Sequence, residues 1–405
     1  MIIEKVVFNI LAFTLFIIVF MKMIKKNDTS YVYVLGLQFV GLTINFIELI
    51  FNLKLNLFFR IIMYLLSVVI PGFVLFIEYK LKLDFPELFR IAMAKLYIHM
   101  GKIDEAKECL FDLLNEYSDS YLGHKVLAEL YEKEGKNSHA VDEYIRVTEI
   151  NKKDFSIFYK IADLLNKEQR GEEAIVILQD LLKKKPELYD ASNLLGDILC
   201  TQERYKEAIS VYMTALRYHP GNYDLYYNLG MTYTMVNDFQ RAKEFYEKAA
   251  QINSALYNSK FSLGQIAIIY GDLDEAERFF QESLKGEEVE AGSYYYLAQV
   301  SMLKGEKEKA TNYMNVAVDL EPKMYEKAQK EPVFLPIKKE IKEPEEEQEE
   351  TIGEERKKLM PKERKSMNHL SKTCTLVSSL NNDDIKMMRN IKKRERQKEE
   401  KQREN

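Results

Sequence analysis

The chain has 405 residues, length for roughly two or three domains, and carries a net charge of −5 with 30% charged residues. That balance excludes a protein that binds nucleic acid through a globally basic surface. Cys109, Cys200 and Cys374 lie far apart with no CxxC pair, and the five histidines do not cluster, so neither a disulfide framework nor a zinc site is indicated and no cofactor is expected.

Apolar residues crowd into the first eighty positions as three runs, about 6–23, 31–51 and 57–79. A helix needs about 20 apolar residues to cross a hydrocarbon core of about 30 Å, and all three qualify. The spacing predicts three transmembrane helices over 1–80 and a connector over 81–86. The first run ends in Met-Lys-Met-Ile-Lys-Lys rather than a small-x-small site, which marks a retained anchor. Lys22, Lys25 and Lys26 in the first loop and Lys80, Lys82 and Arg90 after the third run place both segments inside and the N-terminus outside. A bacterial plasma membrane is expected from the compact anchor and the lack of eukaryotic targeting signals. Glu48 and Arg60 fall on the same outer side and can pair across the short loop. Pro71-Gly72 is expected to kink the third helix. Transport by the three helices alone finds no support, because the runs read as lacking intramembrane polar residues.

Beyond the apolar runs the chain is strictly periodic. Alanine recurs every 34 residues at Ala106, Ala140, Ala174, Ala208, Ala242, Ala276 and Ala310. Counting back gives seven units starting at 87, 121, 155, 189, 223, 257 and 291 and ending at 324. Twelve residues before each Ala stands a small residue (Ala94, Ala128, Ala162, Gly196, Gly230, Gly264, Ala298), always preceded by an apolar one. Four after the Ala comes a large apolar residue, as in Tyr144, Tyr212, Tyr246 and Phe280, and Gly101, Gly135, Gly271 and Gly305 fall at turns. Each unit therefore reads as two short amphipathic helices crossing closely at the small residue. One such unit cannot bury its own core, so neighbours must stack.

This pattern resembles the tetratricopeptide repeat. Leu229, Gly230, Tyr233, Ala242, Tyr246 and Ala249 match its consensus in one unit, and Leu195, Gly196, Ala208, Tyr212, Ala215 and Pro220 in another. The usual aromatic at the fourth position is met only by Tyr226 and Tyr294, and the chain has no Trp. The resemblance implies an all-α fold, transmembrane helices followed by a right-handed α-solenoid, with the first helix of each repeat lining a concave groove. Position nine of the repeat, which points into that groove in the family, reads Lys95, Glu129, Asp163, Asp197, Met231, Gln265 and Gln299. Position five gives Ile91, Lys125, Tyr159, Asn193, Tyr227, Phe261 and Tyr295. The implied groove is acidic in front, with Glu132 beside Glu129, and aromatic behind. It suits a protein or peptide ligand with a basic segment beside an apolar one. A solvated acidic face is the alternative. The resemblance indicates no receptor for a terminal carboxylate, since the groove lacks the cationic set for one.

A capping segment is expected over 325–338, followed by a charged and largely disordered tail over 339–405. The basic cluster Lys386–Lys393 is open to three readings: a solvated tail, weak contact with anionic lipid, or a ligand for the chain's own groove. No P-loop, GxSxG, HExxH or glycine-rich dinucleotide turn occurs, so no enzyme is expected. Two functions remain: a membrane-anchored scaffold docking partner segments in the groove, or an accessory subunit of an envelope-assembly or protein-export complex that acts through its membrane helices. Oligomeric state is not legible.

Overall fold

The computed structural model describes residues 2–51, 56–81 and 83–344. The basic cluster Lys386–Lys393 and the rest of the expected tail beyond 344 lie outside the described residues. The chain divides into two compact units at the junction of Ala174 and Ile175.

The first unit opens with helix α1 (Ile2–Lys26), α2 (Ser30–Ile50) and α3 (Leu57–Leu81). All three are long and apolar enough to cross a membrane. Their outer faces expose large apolar residues such as Ile10, Phe13, Phe39, Phe58 and Phe73. The expectation of apolar runs without internal polar groups is corrected. Along α2 the buried stripe Gln38, Gly41, Asn45 and Glu48 recurs at heptad spacing and faces α3. Gly41 lets α2 and α3 approach closely there, since a Cβ would sit 3.1 Å from Ser67 Cβ and 3.3 Å from the Met63 carbonyl.

Pro71 acts on α3 through the turn before it. It has no N–H, and its ring crowds the carbonyl four residues back, that of Ser67. The helix widens into a π-turn over Leu65–Val69, and the Ser67 carbonyl accepts from Gln38 Nε2 at 3.2 Å. The Ser67 hydroxyl donates to the Met63 carbonyl at 2.6 Å and lies 3.4 Å from Asn45 Nδ2. Gln38 and Asn45 thus satisfy backbone and hydroxyl groups buried between the helices.

Ion pairs tie the three helices to one another and to the first repeat. Glu78 accepts from Lys22, Tyr31 and Lys26, and Lys26 reaches Asp84 at 3.0 Å. Arg90 pairs with Asp28 at 2.5 Å and Glu116 at 2.7 Å. The turn between α1 and α2 therefore lies at the same end of the bundle as the first repeat.

The repeats of this unit are α4 (Phe85–His99) with α5 (Ile103–Glu116), α6 (Tyr121–Lys133) with α7 (Asn137–Ile150), and α8 (Phe155–Lys167) with α9 (Gly171–Lys184), whose end runs into the second unit. The second unit continues with α10 (Tyr189–Thr201) and α11 (Tyr205–Tyr218), α12 (Tyr223–Met235) and α13 (Phe239–Ile252), α14 (Tyr257–Ile269) and α15 (Leu273–Ser283), and α16 (Glu290–Lys304) and α17 (Lys307–Leu320). Ser120, Asn222, Asp238 and Asp272 cap helices by accepting from backbone N–H groups three residues on. The first helix of each pair ends alike. The residue at 101, 135, 169, 203, 237, 271 or 305 has positive φ, and the next N–H bonds back to a carbonyl of the last turn at 2.8–2.9 Å, as in Lys102 to Tyr97 and Arg204 to Leu199.

The end of the second unit is closed by α18 (Lys323–Lys330) and a 3-10 turn over Pro332–Ile337. Phe334, Ile337 and Ile341 are buried in one cluster with Tyr295, Tyr296 and Met314. The packed cap thus runs past the expected boundary at 338, and Lys342 N–H donates to Asn315 Oδ1 at 2.9 Å.

Candidate functional site

In the first unit the first-helix face of the repeats stays open. Lys95, Glu129, Tyr159 and Asp163 are all half-buried or exposed. Between α4 and α6 lies a cavity of about 420 Å³, with Ile98, Val126 and Leu130 apolar and Lys95, His99, Lys133 and Glu129 polar. The acidic face is less bare than the residue pattern suggests. Asp163 pairs with Lys167 at 2.7 Å, and Glu132 accepts from the Tyr144 hydroxyl at 3.1 Å with Lys160 3.6 Å away. Glu129, by contrast, shares its cavity with two lysines and a histidine. His99 and Lys133 escape a reading confined to positions five and nine; both stand at position thirteen, 34 residues apart, which was the signal available.

In the second unit Asp197 accepts from the Tyr212 hydroxyl at 2.8 Å, and burial pushes that phenol well above its ordinary range. Asn193 Oδ1 accepts from Asn228 Nδ2 at 2.6 Å. Burial also pushes the Cys200 thiol up to about 11, which keeps it protonated and unreactive. Met231 is half-buried.

The expectation of an open aromatic rear groove is corrected: Tyr227, Phe261, Gln265, Tyr295 and Gln299 are all buried. At 227, 261 and 295 position five packs between neighbouring helices rather than facing out. Tyr227 lies 5.5 Å from the Tyr246 ring, and Phe261 sits between Phe280 at 5.7 Å and Tyr296 at 5.5 Å. Tyr295 is fully enclosed beside Phe334 at 5.4 Å, with Lys327 over its ring at 4.2 Å. On α14 every residue from Phe261 to Ile269 is buried, and both amide atoms of Gln265 lack a hydrogen-bond partner among the described residues.

No group of three or more metal-ligating side chains occurs among the described residues. Models of the tetratricopeptide repeat match residues 89–120, 159–213 and 187–255. These segments are tetratricopeptide repeats. Among solved structures, YrrB, described as a tetratricopeptide repeat protein with an unusual peptide-binding site, is 26% identical with a TM-score of 0.38, covering 44% of this chain and 92% of its own. PilF of Pseudomonas aeruginosa is 18% identical, with a TM-score of 0.44 and coverage of 52% and 97%. The C-terminal part of a repeat-containing protein of Cytophaga hutchinsonii is 16% identical, with a TM-score of 0.49 and coverage of 57% and 95%. A search of curated proteins finds no match. Within these repeats the phenols of Tyr144, Tyr212, Tyr227 and Tyr246 are raised by burial, each being enclosed in the repeat core.

Proposed function

We propose that the chain is a membrane-anchored scaffold, with α1–α3 crossing the membrane and the repeats binding partner protein segments on the side of the α1–α2 turn. The observation that carries this is the open first-helix face of the first unit, with the cavity at Glu129 one repeat from Asp163. Such a face offers an apolar floor for one side chain and carboxylates for a neighbouring basic residue. Charge attraction speeds encounter, and burial of the apolar group slows release. The gain from anchoring is local concentration rather than new chemistry. The Lys22, Lys25 and Lys26 cluster favours a cytoplasmic face for the repeats in a bacterial plasma membrane.

The test is in-cell photocrosslinking from position 159, which is half-buried on the open face, unlike the enclosed Tyr227. One dominant crosslinked protein is expected, reduced about tenfold or more in Glu129→Ala/Asp163→Ala, as loss of two interfacial charges at about 1 kcal/mol each implies. A crosslink of equal strength in the double variant removes the carboxylates from the interface. No specific crosslink at all removes the groove as the dock.

A further inference from the structure

The first repeat has no repeat before it, yet its leading helix keeps the apolar residues that a neighbour would cover. Leu96, at position ten, is 49% exposed, whereas Leu130, Leu164, Ile198, Thr232, Ile266 and Val300 at the same position are at most 3% exposed. Met100, the C-cap of α4, is 57% exposed. Leu96 and Met100 follow Phe89 by seven and eleven residues, which puts them within about 20° of it around the helix. The three side chains form one apolar line along α4. A solenoid end left in water needs a polar outer face, and this one is not polar.

The near end of that line rests on the apolar bundle. Tyr31 and Tyr33 leave α2 on opposite sides, Tyr31 enclosed in the bundle and Tyr33 exposed on its outer face. The Phe85 ring lies 5.4 Å from Tyr31 and the Phe89 ring 5.0 Å from Tyr33. One turn of α4 therefore spans only two residues of α2, so α4 crosses the start of α2 rather than running along it. Arg90 holds it there through Asp28 in the α1–α2 turn. Tyr33 stands one turn inside an apolar helix, the depth at which tyrosine marks a membrane interface. The exposed Lys25 and Lys80 lie at the same end of the bundle, the level of lipid phosphates.

We infer that the missing neighbour of the first repeat is the lipid surface: α4 lies in the headgroup layer, with Phe89, Leu96 and Met100 on the acyl-chain side. The line continues the outward side of α2, so a soluble partner or a second copy would have to displace lipid to reach it. The cavity of the open face, lined on α4 by Lys95, Ile98 and His99, does not include these residues and stays accessible. The inference rests on the reading that α1–α3 cross a membrane, and adds that the membrane orients the repeats as well as holding them.

The chain contains no Trp, so a single Trp placed on the line reports its own surroundings. The full chain is reconstituted at one copy per phospholipid nanodisc, with lipid either plain or brominated in the upper acyl chain. Leu96→Trp is expected to lose about half or more of its emission to the brominated lipid, because an interfacial helix buries its apolar face about 5–10 Å deep. It should also resist quenching by aqueous iodide. Met100→Trp should behave alike, since it shares the line. Strong iodide quenching at both positions with none by brominated lipid overturns the inference. So does resistance to both quenchers, which would mean that protein covers the line. Phe39→Trp, on the exposed side of α2, tests the underlying reading separately. No quenching by brominated lipid there sinks the membrane anchor, whereas quenching at Phe39→Trp but not at Leu96→Trp sinks only the placement of α4.

Discussion

Seven turns share a left-handed residue, and only four of them use glycine for it. Gly101, Gly135, Gly271 and Gly305 adopt φ between 71° and 86°, while Gln169, Glu203 and Asn237 hold φ near 60°. For an L-residue with a Cβ that conformation costs roughly 1–2 kcal/mol, and asparagine bears it most easily. The side chains of Gln169 and Glu203 are exposed, so no packing offsets the strain. Glu203→Gly and Gln169→Gly are each expected to stabilise their repeat by about 0.5–1 kcal/mol, the strain relieved less the entropy that glycine adds to the unfolded chain. Asn237→Gly should change little. Urea midpoints of the three variants check the ranking, and a loss of stability in Glu203→Gly would show that the turn carries no strain. At this scale the sequence was half legible. The four glycines announced the turn, but Gln169 and Glu203 fill it with residues that have no such preference, so only the 34-residue phase could mark them. Site residues were less legible still. Tyr227, Phe261 and Tyr295 are as compatible with a ligand face as with a core, and what decides is the neighbouring helix that covers them.

Between helices, the repeat follows a rule of constant volume. Gly196, Gly230 and Gly264 face Tyr212, Tyr246 and Phe280, and a Cβ on these glycines would lie 2.2, 2.7 and 2.7 Å from the opposing ring. Where the small residue is Ala94 or Ala298, the partner in the second helix is Leu110 or Met314, each fully buried. Ala128 opposite Tyr144 breaks the rule, and there the hydroxyl is drawn out to Glu132. Gly230→Ala should therefore destabilise by about 1–3 kcal/mol through overpacking. Tyr246→Leu added to it should recover about 1 kcal/mol or more of that loss. Tyr246 suits the cycle because its hydroxyl meets no geometric hydrogen-bond partner among the described residues, so beyond the ring contact with Tyr227 the truncation mainly removes volume. Additive effects in a thermal-melt double-mutant cycle would mean that the two side chains do not share the space. The small and large positions were visible in the sequence as separate columns; their compensation is a fact about the distance between two helices. The three apolar helices were legible in the same partial way. Length and apolarity gave their number and extent, whereas the π-turn before Pro71 and the Gln38–Ser67 bond need the facing helix.

A repeat solenoid has ends, and this chain closes the far one with its own cap. Each repeat contacts only its neighbours, so the last pair, α16 and α17, has a partner on one side and relies on the cap for the other. Phe334, Ile337 and Ile341 supply that partner, and the first two are fully buried. Burying three such side chains contributes on the order of 5 kcal/mol before conformational entropy is subtracted. The loss from a chain ended at Lys330 should not spread evenly. Repeat stability is local, so α17 should fray first while α7, well inside the first unit, stays closed. Hydrogen exchange on the full chain and on the version ended at Lys330 reads this directly. Amides of Tyr313–Val318 are expected to lose about a hundredfold or more in protection, as a local loss near 3 kcal/mol implies, and those of Val141–Val147 none. A second version ended after Pro344 should match the full chain at both sites, because it keeps Phe334, Ile337 and Ile341. Equal protection of α17 in all three chains would reduce the cap to a surface ornament, and a loss in α7 as well would mean that the repeats open as one cooperative block rather than from the end.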